Sequence, residues 1–231
     1  TFSGEVVVAL VISCLAQKGG VGKSTLARLI AREYAANDWT VKIADMDLGQ
    51  GTAYAWHQRR LQAGIAPVLS VEQFNSVSNA LKAAGAVDLL VFDGAPAADR
   101  QTRQIAEHSD LVVIPSGVAL DDLEPTVRLA NELQQHCKHL SLCLSRVGTS
   151  TPELNEARDY LGATPHHVLD CHLLEKTGYR RASDAGRTAT ETAYQSLNQR
   201  ADNLAQAIID RLSETLAQEI VGRLSGKMLT N

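Results

Sequence analysis

Short apolar runs alternate with longer amphipathic segments along the whole chain. Runs rich in Val, Ile and Leu with few polar interruptions are typical of strands that are covered on both faces. On this basis we predict strands at Val6–Cys14, Val41–Asp45, Val87–Asp93, Leu111–Pro115 and Leu140–Ser145, with a weaker one near His167–Leu169. Helical patterns lie between them at about 23–36, 73–84, 99–108, 121–136 and 152–161. This order predicts an α/β fold with a doubly wound, mostly parallel sheet.

The C-terminal part of the chain has a separate amphipathic pattern, from about 196 to 225. Apolar residues recur there every three or four positions, at Leu197, Ala201, Leu204, Ile208, Leu212, Leu216, Ile220 and Leu224. We predict one long helix packed on the domain, with a frayed tail after Gly226. A membrane-binding helix is the alternative. Its polar face carries acidic residues as well as basic ones, however, and anionic lipid would repel the acidic side chains.

Composition narrows the class of protein. The chain has 231 residues and no linker or repeat, so we expect one domain over 1–231. A net charge of −4 argues against a surface that coats nucleic acid throughout, but it allows a local basic patch. The four cysteines form no C-x-x-C pair, which favours a reducing, cytoplasmic location. The longest apolar run, Val6 to Ala16, is much shorter than the about 20 residues that span a bilayer.

Residues 18–25 read K-G-G-V-G-K-S-T and follow the first apolar run directly. The standard phosphate-binding loop is G-x-x-x-x-G-K-[ST], and here Gln17 replaces its first glycine while glycines stand at 19 and 20. Backbone N–H groups without side chains would still surround a β-phosphate at the start of the next helix. The motif therefore predicts a nucleoside triphosphate site in an ATPase.

Each residue of this loop has an expected role. Lys23 should reach the β- and γ-phosphates, Ser24 should bind Mg²⁺, and Thr25 should contact the α-phosphate. The predicted nucleotide-binding residues of the loop are Lys18, Gly19, Gly20, Val21, Gly22, Lys23, Ser24 and Thr25.

The run from Val87 to Pro96 contains a second motif, which includes Asp93 and Gly94. Four apolar residues bring Asp93 to the carboxyl end of a strand, where open α/β sheets bind ligands. We expect Asp93 to hold Mg²⁺ through water, and Gly94 to let the backbone follow the γ-phosphate. An ordinary strand-ending Asp-Gly turn is the alternative.

The K-G-G-x-G-K-[ST]-T loop resembles the deviant Walker A motif of the ParA/MinD family of P-loop ATPases. The resemblance implies that Lys18 is the signature lysine of the family. In a nucleotide-sandwich dimer such a lysine reaches across and touches the phosphates bound by the partner subunit. The resemblance extends from about residue 10 to 190, with its sharpest motifs in the first hundred residues.

The family also has an Asp-x-Asp after its second strand, and Asp45-Met46-Asp47 stands at that place. The resemblance implies that Asp47 orients the attacking water close to the Mg²⁺ shell, which is sufficient for a loose phosphoryl-transfer transition state. Leu48-Gly49 replaces the usual proline, so the following Gln-Gly-Thr comes one residue late. A solvated pair of aspartates is the alternative.

Later motifs match the family less closely. The run ending in Ile114-Pro115 resembles a family strand, and Asp122 aligns with a carboxylate that plasmid-type members often have. Ser145-Arg146-Val147 resembles the N-R-V segment that reads adenine, with Ser145 in place of Asn. The resemblance therefore adds Ser145 to the nucleotide-binding residues.

The sequence does not support several other classes of ATPase with this type of loop. No cysteine occurs between Cys14 and Cys137 for an iron-sulfur cluster, and no C-terminal tyrosine cluster indicates a tyrosine kinase of this fold. An arsenite-pump ATPase would be about twice as long, and a MinD-type protein would end in a basic amphipathic helix. The small ParA-type partition ATPases, which lack an N-terminal DNA-binding domain, fit the length best.

Partition ATPases of this kind bind DNA nonspecifically as ATP dimers, through basic residues of the C-terminal half. The candidate DNA-binding residues here are Lys176, Arg180, Arg181, Arg187 and Arg200. The alternatives for these side chains are a solvated helix face or ion pairs at the edge of the nucleotide.

The resemblance therefore implies a nucleoid-associated ATPase that uses ATP and Mg²⁺ and forms an ATP-dependent homodimer. We expect weak hydrolysis that is stimulated by a small centromere-binding or adaptor protein, nonspecific binding to double-stranded DNA, and no membrane partner. A MinD-like or other cargo-positioning ATPase is one alternative. A biosynthetic P-loop ligase of the dethiobiotin or cobyrinate synthetase type is the other.

Overall fold

The computed structural model describes residues 9–228, with side chains to residue 221. The strands are β1 (Leu10–Ala16), β2 (Val41–Asp45), β3 (Ser70–Gln73), β4 (Leu89–Pro96), β5 (Leu111–Ser116), β6 (Leu140–Leu144) and β7 (His167–Val168). The α-helices are α1 (Lys23–Ala35), α2 (Thr52–Gln62), α3 (Val77–Ala83), α4 (Arg100–Glu107), α5 (Leu120–Leu133), α6 (Thr151–Gly162), α7 (Thr177–Asp184) and α8 (Gln195–Met228). Short 3₁₀ turns lie at Ala84–Ala86 and Ala189–Glu191.

The seven strands form one parallel sheet in the order β3-β2-β4-β1-β5-β6-β7. The chain passes from β1 to β2 and β3 on one side, and then returns through β4 to β5 on the other. β1 pairs with both β4 and β5, so the reversal of strand order lies at the carboxyl end of β1. Ligands bind at such a point in open α/β sheets.

Helices cover both faces of the sheet, which is why the strands are apolar on both sides. Successive strand residues point to opposite faces, and Leu89 and Val91 join one apolar cluster while Leu90 and Phe92 join the other. The first cluster contains buried residues of α1, α2 and α8, and the second contains buried residues of α3, α4, α5 and α6. The predicted α/β fold with a parallel sheet is thereby confirmed.

The structure differs from the sequence-based elements at several places. β1 begins at Leu10 and continues to Ala16, two residues beyond the predicted end, and Val6–Val8 lie outside the described residues. The helix predicted over 73–84 is wrong at its start, because residues 70–73 form β3 and the Ser76 hydroxyl caps α3 at the Asn79 N–H. The helices α2 and α7 were absent from the sequence-based prediction.

The long C-terminal helix α8 is present and extends through Met228. The tail predicted to fray after Gly226 continues into residues 229–231, which lie outside the described residues. The first half of α8 packs against the rest of the domain through buried side chains, at Ala201, Leu204, Ala205, Ile208 and Leu212. Farther along the helix, Ile220 and Val221 are exposed. Among residues 9–228, no helix has the length and apolar character needed to cross a membrane.

Candidate functional site

The glycine-rich loop connects the end of β1 to the start of α1. Gly20 and Gly22 have φ angles of 81° and 108°, a backbone conformation that favours glycine. A Cβ on Gly22 would also lie 2.5 Å from the Ser145 Oγ atom, so the loop approaches the end of β6 closely. The glycines therefore leave the loop amides uncovered at the N-terminus of α1, where the helix dipole favours an anion.

Lys23 is the first residue of α1, and its side chain turns back under the loop. It is buried, and its Nζ donates to the Lys18 carbonyl at 3.4 Å. Burial lowers the pKa of Lys23, although the nearby charges of Asp93 and Asp47 oppose this effect. No carboxylate in the described part of the chain forms an ion pair with the ammonium group, so an anion entering the cleft would find it available.

Asp93 lies in the last part of β4, beside Cys14 of β1. Burial raises the pKa of its carboxyl to about 6, while a hydrogen bond from the Ser24 hydroxyl and the charges of Arg28 and Lys23 lower it. Its Oδ1 atom is buried without a hydrogen-bond partner among the described residues. A buried, incompletely satisfied carboxylate beside a serine hydroxyl is a suitable site for a hydrated cation.

The two aspartates after β2 have different surroundings. The Asp45 carboxylate is buried and accepts hydrogen bonds from the N–H groups of Ala53 and Tyr54, at 3.1 and 3.0 Å, and of Asp47 at 3.1 Å. Asp45 therefore caps α2 and closes the segment 45–54 on itself, a segment that we call the β2–α2 loop. The half-buried Asp47 lies in the cleft, and its Oδ1 accepts from the Gln50 N–H at 3.0 Å.

These residues meet in one cavity of about 250 Å³ at the carboxyl end of the sheet. Its lining includes Gly19, Gly20, Gly22, Lys23, Ser24, Thr25, Asp45, Asp47, Asp93 and Gly94. Within residues 9–228, no group of three or more His, Cys, Asp or Glu side chains is arranged to hold a metal ion alone. Mg²⁺ is usually bound by one or two carboxylates together with substrate phosphates, so Ser24 and Asp93 fit that cation in the presence of a nucleotide.

A second cavity of about 310 Å³ adjoins the first and shares Gly20, Gly22 and Thr25 with it. The buried Ser145 and the residues after β7, at 173–176, line this second space. Arg146 has a positive φ of 56°, donates to the Gly20 carbonyl at 2.7 Å and pairs with Glu175 at 2.8 Å. The second cavity thus has the size and position for a nucleoside whose phosphates lie in the first.

Gly94 has a packing role in addition to the predicted one, which stays a prediction. A Cβ on this residue would lie 2.6 Å from the Leu15 Cδ2 atom and 3.3 Å from the Cys14 carbonyl oxygen. The absence of a side chain therefore allows β4 to pack closely against β1. Gly94 also lines the first cavity, together with Asp93.

Lys18 is half exposed at the rim of the first cavity. Its Nζ forms an ion pair with Asp122 of α5 at 2.5 Å and donates to the Asp121 carbonyl at 3.4 Å. Within a single chain, the Lys18 side chain is therefore held by the N-terminal turn of α5 and does not enter the first cavity.

The five basic residues predicted for DNA are divided between two places. Lys176, Arg180 and Arg187 line the second cavity, whereas the exposed Arg181 of α7 and Arg200 of α8 lie outside its lining. The Arg200 Nη1 atom lies 3.4 Å from the His172 Nε2 atom. In the described structure, the side chains of the four basic residues on and beside α7 have no ion-pair partner.

Sequence reasoning missed a buried charged cluster beneath the site. Arg60 of α2 forms two hydrogen bonds with the Glu191 carboxylate, at 2.7 and 3.0 Å. Two guanidinium groups lie over the Trp56 ring, that of Arg28 at 5.1 Å and that of Arg60 at 5.6 Å from the ring centre. The only signal in the sequence was a tryptophan among polar residues, which does not reveal its partners.

Comparison with known proteins agrees with this geometry. The family described as the CobQ/CobB/MinD/ParA nucleotide binding domain, CbiA, matches residues 12–189. The match includes the glycine-rich loop, both strand-end acidic motifs and α7. Among curated proteins, none matches the sequence.

Solved structures with similar folds include several proteins with a nucleotide bound. The septum site-determining protein MinD of Pyrococcus horikoshii, complexed with Mg-ADP, has a TM-score of 0.67 at 17% identity, covering 87% of this chain and 96% of that one. A putative plasmid partition protein of Borrelia burgdorferi bound to AMPPNP has a TM-score of 0.66 at 16% identity, covering 88% and 99%. A Cyanothece McdA variant in complex with ATP has a TM-score of 0.65 at 15% identity, covering 87% and 96%.

Proposed function

Because the chain belongs to the CobQ/CobB/MinD/ParA family of nucleotide-binding domains, we propose that it is a ParA-type partition ATPase dependent on ATP and Mg²⁺. The observation that carries this proposal is the meeting of Lys23, Asp47 and Asp93 in one cavity, with Lys18 exposed at its rim. Phosphate-binding, water-orienting and partner-directed groups are thus on the same edge of the sheet.

The residues of the cleft have distinct roles in this proposal. Loop amides and Lys23 hold the β- and γ-phosphates, and Thr25 contacts the α-phosphate. Ser24 and Asp93 hold Mg²⁺, which would neutralise developing charge on the phosphates. Asp47 orients the attacking water, since its carboxylate lines the cavity while Asp45 is engaged in capping α2. The nucleoside occupies the second cavity, where Ser145 supplies a hydroxyl.

The dimeric part of the proposal concerns Lys18. We propose that two ATP-bound copies associate face to face, so that Lys18 of each copy contacts the phosphates held by the other. Its position at the rim is compatible with this arrangement, because its ammonium is directed to α5 and not into its own cavity. The ATP dimer then binds nucleoid DNA without sequence preference, through Lys176, Arg180, Arg181, Arg187 and Arg200.

Similarity to MinD and McdA supports a second candidate, a positioning ATPase whose cargo is not DNA. The family name also includes CobQ and CobB, which keeps a biosynthetic ligase as a third candidate. Hydrolysis that increases with DNA plus a small basic partner protein would favour partition. Hydrolysis that requires a carboxylate metabolite would favour the ligase.

Asp47→Ala is expected to give an ATP-bound dimer that persists, because nucleotide is still held while water is no longer oriented. Light scattering coupled to gel filtration in ATP and in ADP, together with phosphate release, measures both parts. We expect a dimer in ATP only, with phosphate release at least about 100-fold slower than in the unchanged protein, as for loss of one well-placed catalytic contact. Rapid turnover in the variant would assign the water-orienting role to another residue.

Asp122→Asn is expected to strengthen ATP-dependent dimerisation. The Lys18–Asp122 pair is partly exposed, and such pairs contribute at most about 1 kcal/mol. The symmetric dimer breaks two of them, one in each subunit, so their removal should tighten the dimer by up to about 30-fold. Sedimentation of the ATP state over a range of protein concentrations measures this constant. The matched control is Glu132→Gln. Glu132 lies at the other end of α5 from Asp122 and pairs with Arg103 of α4. A weaker dimer in the Asp122 variant would mean that Asp122 positions Lys18 for its partner.

Arg180→Glu and Arg187→Glu are each expected to weaken binding to duplex DNA equally for all sequences. Loss of one phosphate contact should reduce the slope of log affinity against log salt by about 1. Fluorescence anisotropy with two unrelated duplexes in ATP measures the slope. Arg128→Glu on the exposed face of α5 has the same charge change and should leave it unaltered. Because both arginines line the second cavity, ATP affinity is measured in parallel, and a loss confined to ATP would identify them as nucleotide ligands.

A further inference from the structure

Arg28 is a buried arginine within the nucleotide cleft that no motif accounts for. It stands on α1, one helical turn after Ser24, and it contributes to the walls of both cavities. Only 5% of the residue is exposed. An arginine buried to this degree is unusual unless its guanidinium has partners.

The guanidinium of Arg28 connects three helices. Its Nη2 donates to the Thr52 carbonyl at the start of α2, at 2.7 Å, and its Nη1 donates to the Ser183 hydroxyl of α7, at 3.0 Å. Its flat side lies over the Trp56 ring, 5.1 Å from the ring centre. Arg28 is therefore a rigid link from α1 to α2 on one side and to α7 on the other.

Burying a charge at this place costs free energy, so the contacts of the guanidinium indicate why an arginine is present. Burial lowers the pKa of Arg28 to about 10, although Asp93 and Asp45 oppose that shift, and its Nε has no partner among the described residues. An apolar side chain of similar size could occupy such a position without desolvating a cation. What only a guanidinium provides here is the pair of directed hydrogen bonds to α2 and α7.

The bond to Thr52 anchors the far end of the β2–α2 loop to α1. Asp45 already fixes the near end, where it accepts from the Asp47 N–H, and it caps the Ala53 and Tyr54 N–H groups next to Thr52. Among the described residues, no other side-chain hydrogen bond links this segment to α1. Without Arg28, the start of α2 could move away from α1 and carry the Asp47 segment with it.

We propose that Arg28 is a positioning residue that holds the β2–α2 loop, and so Asp47, in the geometry required for hydrolysis. The anchor on Ser183 gives the link a fixed base on α7. The inference rests on the proposed function, in which Asp47 orients water for attack on ATP.

Arg28→Gln tests this role through a separation of rate from affinity. We expect single-turnover hydrolysis to fall about 10- to 100-fold, the effect of a small misplacement of a catalytic group, while the Kd for ATP changes less than about threefold. Arg28→Lys, which keeps the charge but cannot span both partners, should give an intermediate rate. Arg128→Gln is the matched control and should leave both quantities unchanged. Equal losses of rate and affinity, or no loss of rate, would overturn the inference.

Hydrogen exchange provides a readout that does not depend on hydrolysis. In Arg28→Gln, amides of residues 47–54 should exchange at least about tenfold faster, since loop anchors govern local opening, whereas amides of β4 should not change. If the unchanged protein fails to hydrolyse ATP but the loop loosens in the variant, the proposed function fails and the structural link remains. If loop exchange is unchanged, the positioning role is overturned. If Arg28→Gln does not fold, Ser183→Ala removes one of the two bonds and should show a smaller increase in the same amides.

Discussion

Lys23→Ala is expected to abolish measurable binding of ATP. The Lys23 ammonium is buried under the loop amides, has a lowered pKa because of that burial, and has no carboxylate paired with it in the described structure. A charge-assisted contact to two phosphates in this desolvated place should be worth at least about 3 kcal/mol, or more than about 100-fold in Kd. Isothermal titration with a non-hydrolysable ATP analogue and Mg²⁺ measures the loss.

Lys18→Ala is the internal control for that experiment. Lys18 precedes the same loop and has the same charge, but its ammonium is held by α5 outside its own cavity. We therefore expect its removal to leave the Kd for ATP within about threefold of the unchanged protein, as for most exposed side chains. Hydrolysis and dimerisation should be lost. An equal loss of ATP affinity in both variants would contradict the role of Lys18 in the partner's site.

The sequence was sufficient for the central sheet and for the motif residues that line the first cavity. β1, β2, β4, β5 and β6 are buried strands, whose apolar runs are strong local signals. The glycine-rich loop and the strand-end carboxylates Asp47 and Asp93 were identified because motif and strand end coincide. Parallel strands then bring these residues to one edge, which makes the first cavity predictable.

The elements that the sequence did not predict have weak local patterns. The strand β3 has only four residues, reads S-V-E-Q and lies at the edge of the sheet, so its apolar content is low. The buried face of α2 includes His57 and Arg60, so a helix pattern based on apolar residues does not detect it. In α7 the only buried residue is Ala182. These helices are stabilised by long-range polar contacts, which a single sequence does not specify.

The same limit applies to individual side chains of the site. The Lys18–Asp122 pair joins residues on different elements, and the close approach of Ser145 to Gly22 depends on how β6 ends beside the loop. The sequence placed both Lys18 and Ser145 in the site but could not give their partners. Arg28 and Glu191 were missed because their functions arise only from three-dimensional contacts.

Glu191→Ala is expected to have the largest effect on stability of any change outside the nucleotide cleft. The Glu191 carboxylate holds the Arg60 guanidinium in a two-bond pair, and Arg60 is only 1% exposed. Removing one partner of a buried pair leaves an uncompensated charge and costs about 3–5 kcal/mol. Urea unfolding monitored by circular dichroism measures the loss. Glu132→Ala, which breaks a partly exposed pair with Arg103, should change the free energy of unfolding by less than about 1 kcal/mol.

The effect of Glu191 should also depend on pH in a defined direction. Burial alone would raise the pKa of Glu191, but hydrogen bonds from Arg60 and the Thr188 N–H, with the charges of Arg60 and Arg32, lower it below its ordinary value of 4.5. A carboxyl whose pKa is lower in the folded state stabilises the fold above its unfolded pKa, and this stabilisation is lost as the pH falls through the folded pKa. Glu191→Gln resembles the protonated residue, so the difference in free energy of unfolding between this variant and the unchanged protein should be constant near neutral pH. It should begin to shrink below pH 4.5 and approach zero once Glu191 is protonated in the folded state. A difference that stays constant through that range would show that the charge of Glu191 does not stabilise the buried arginine.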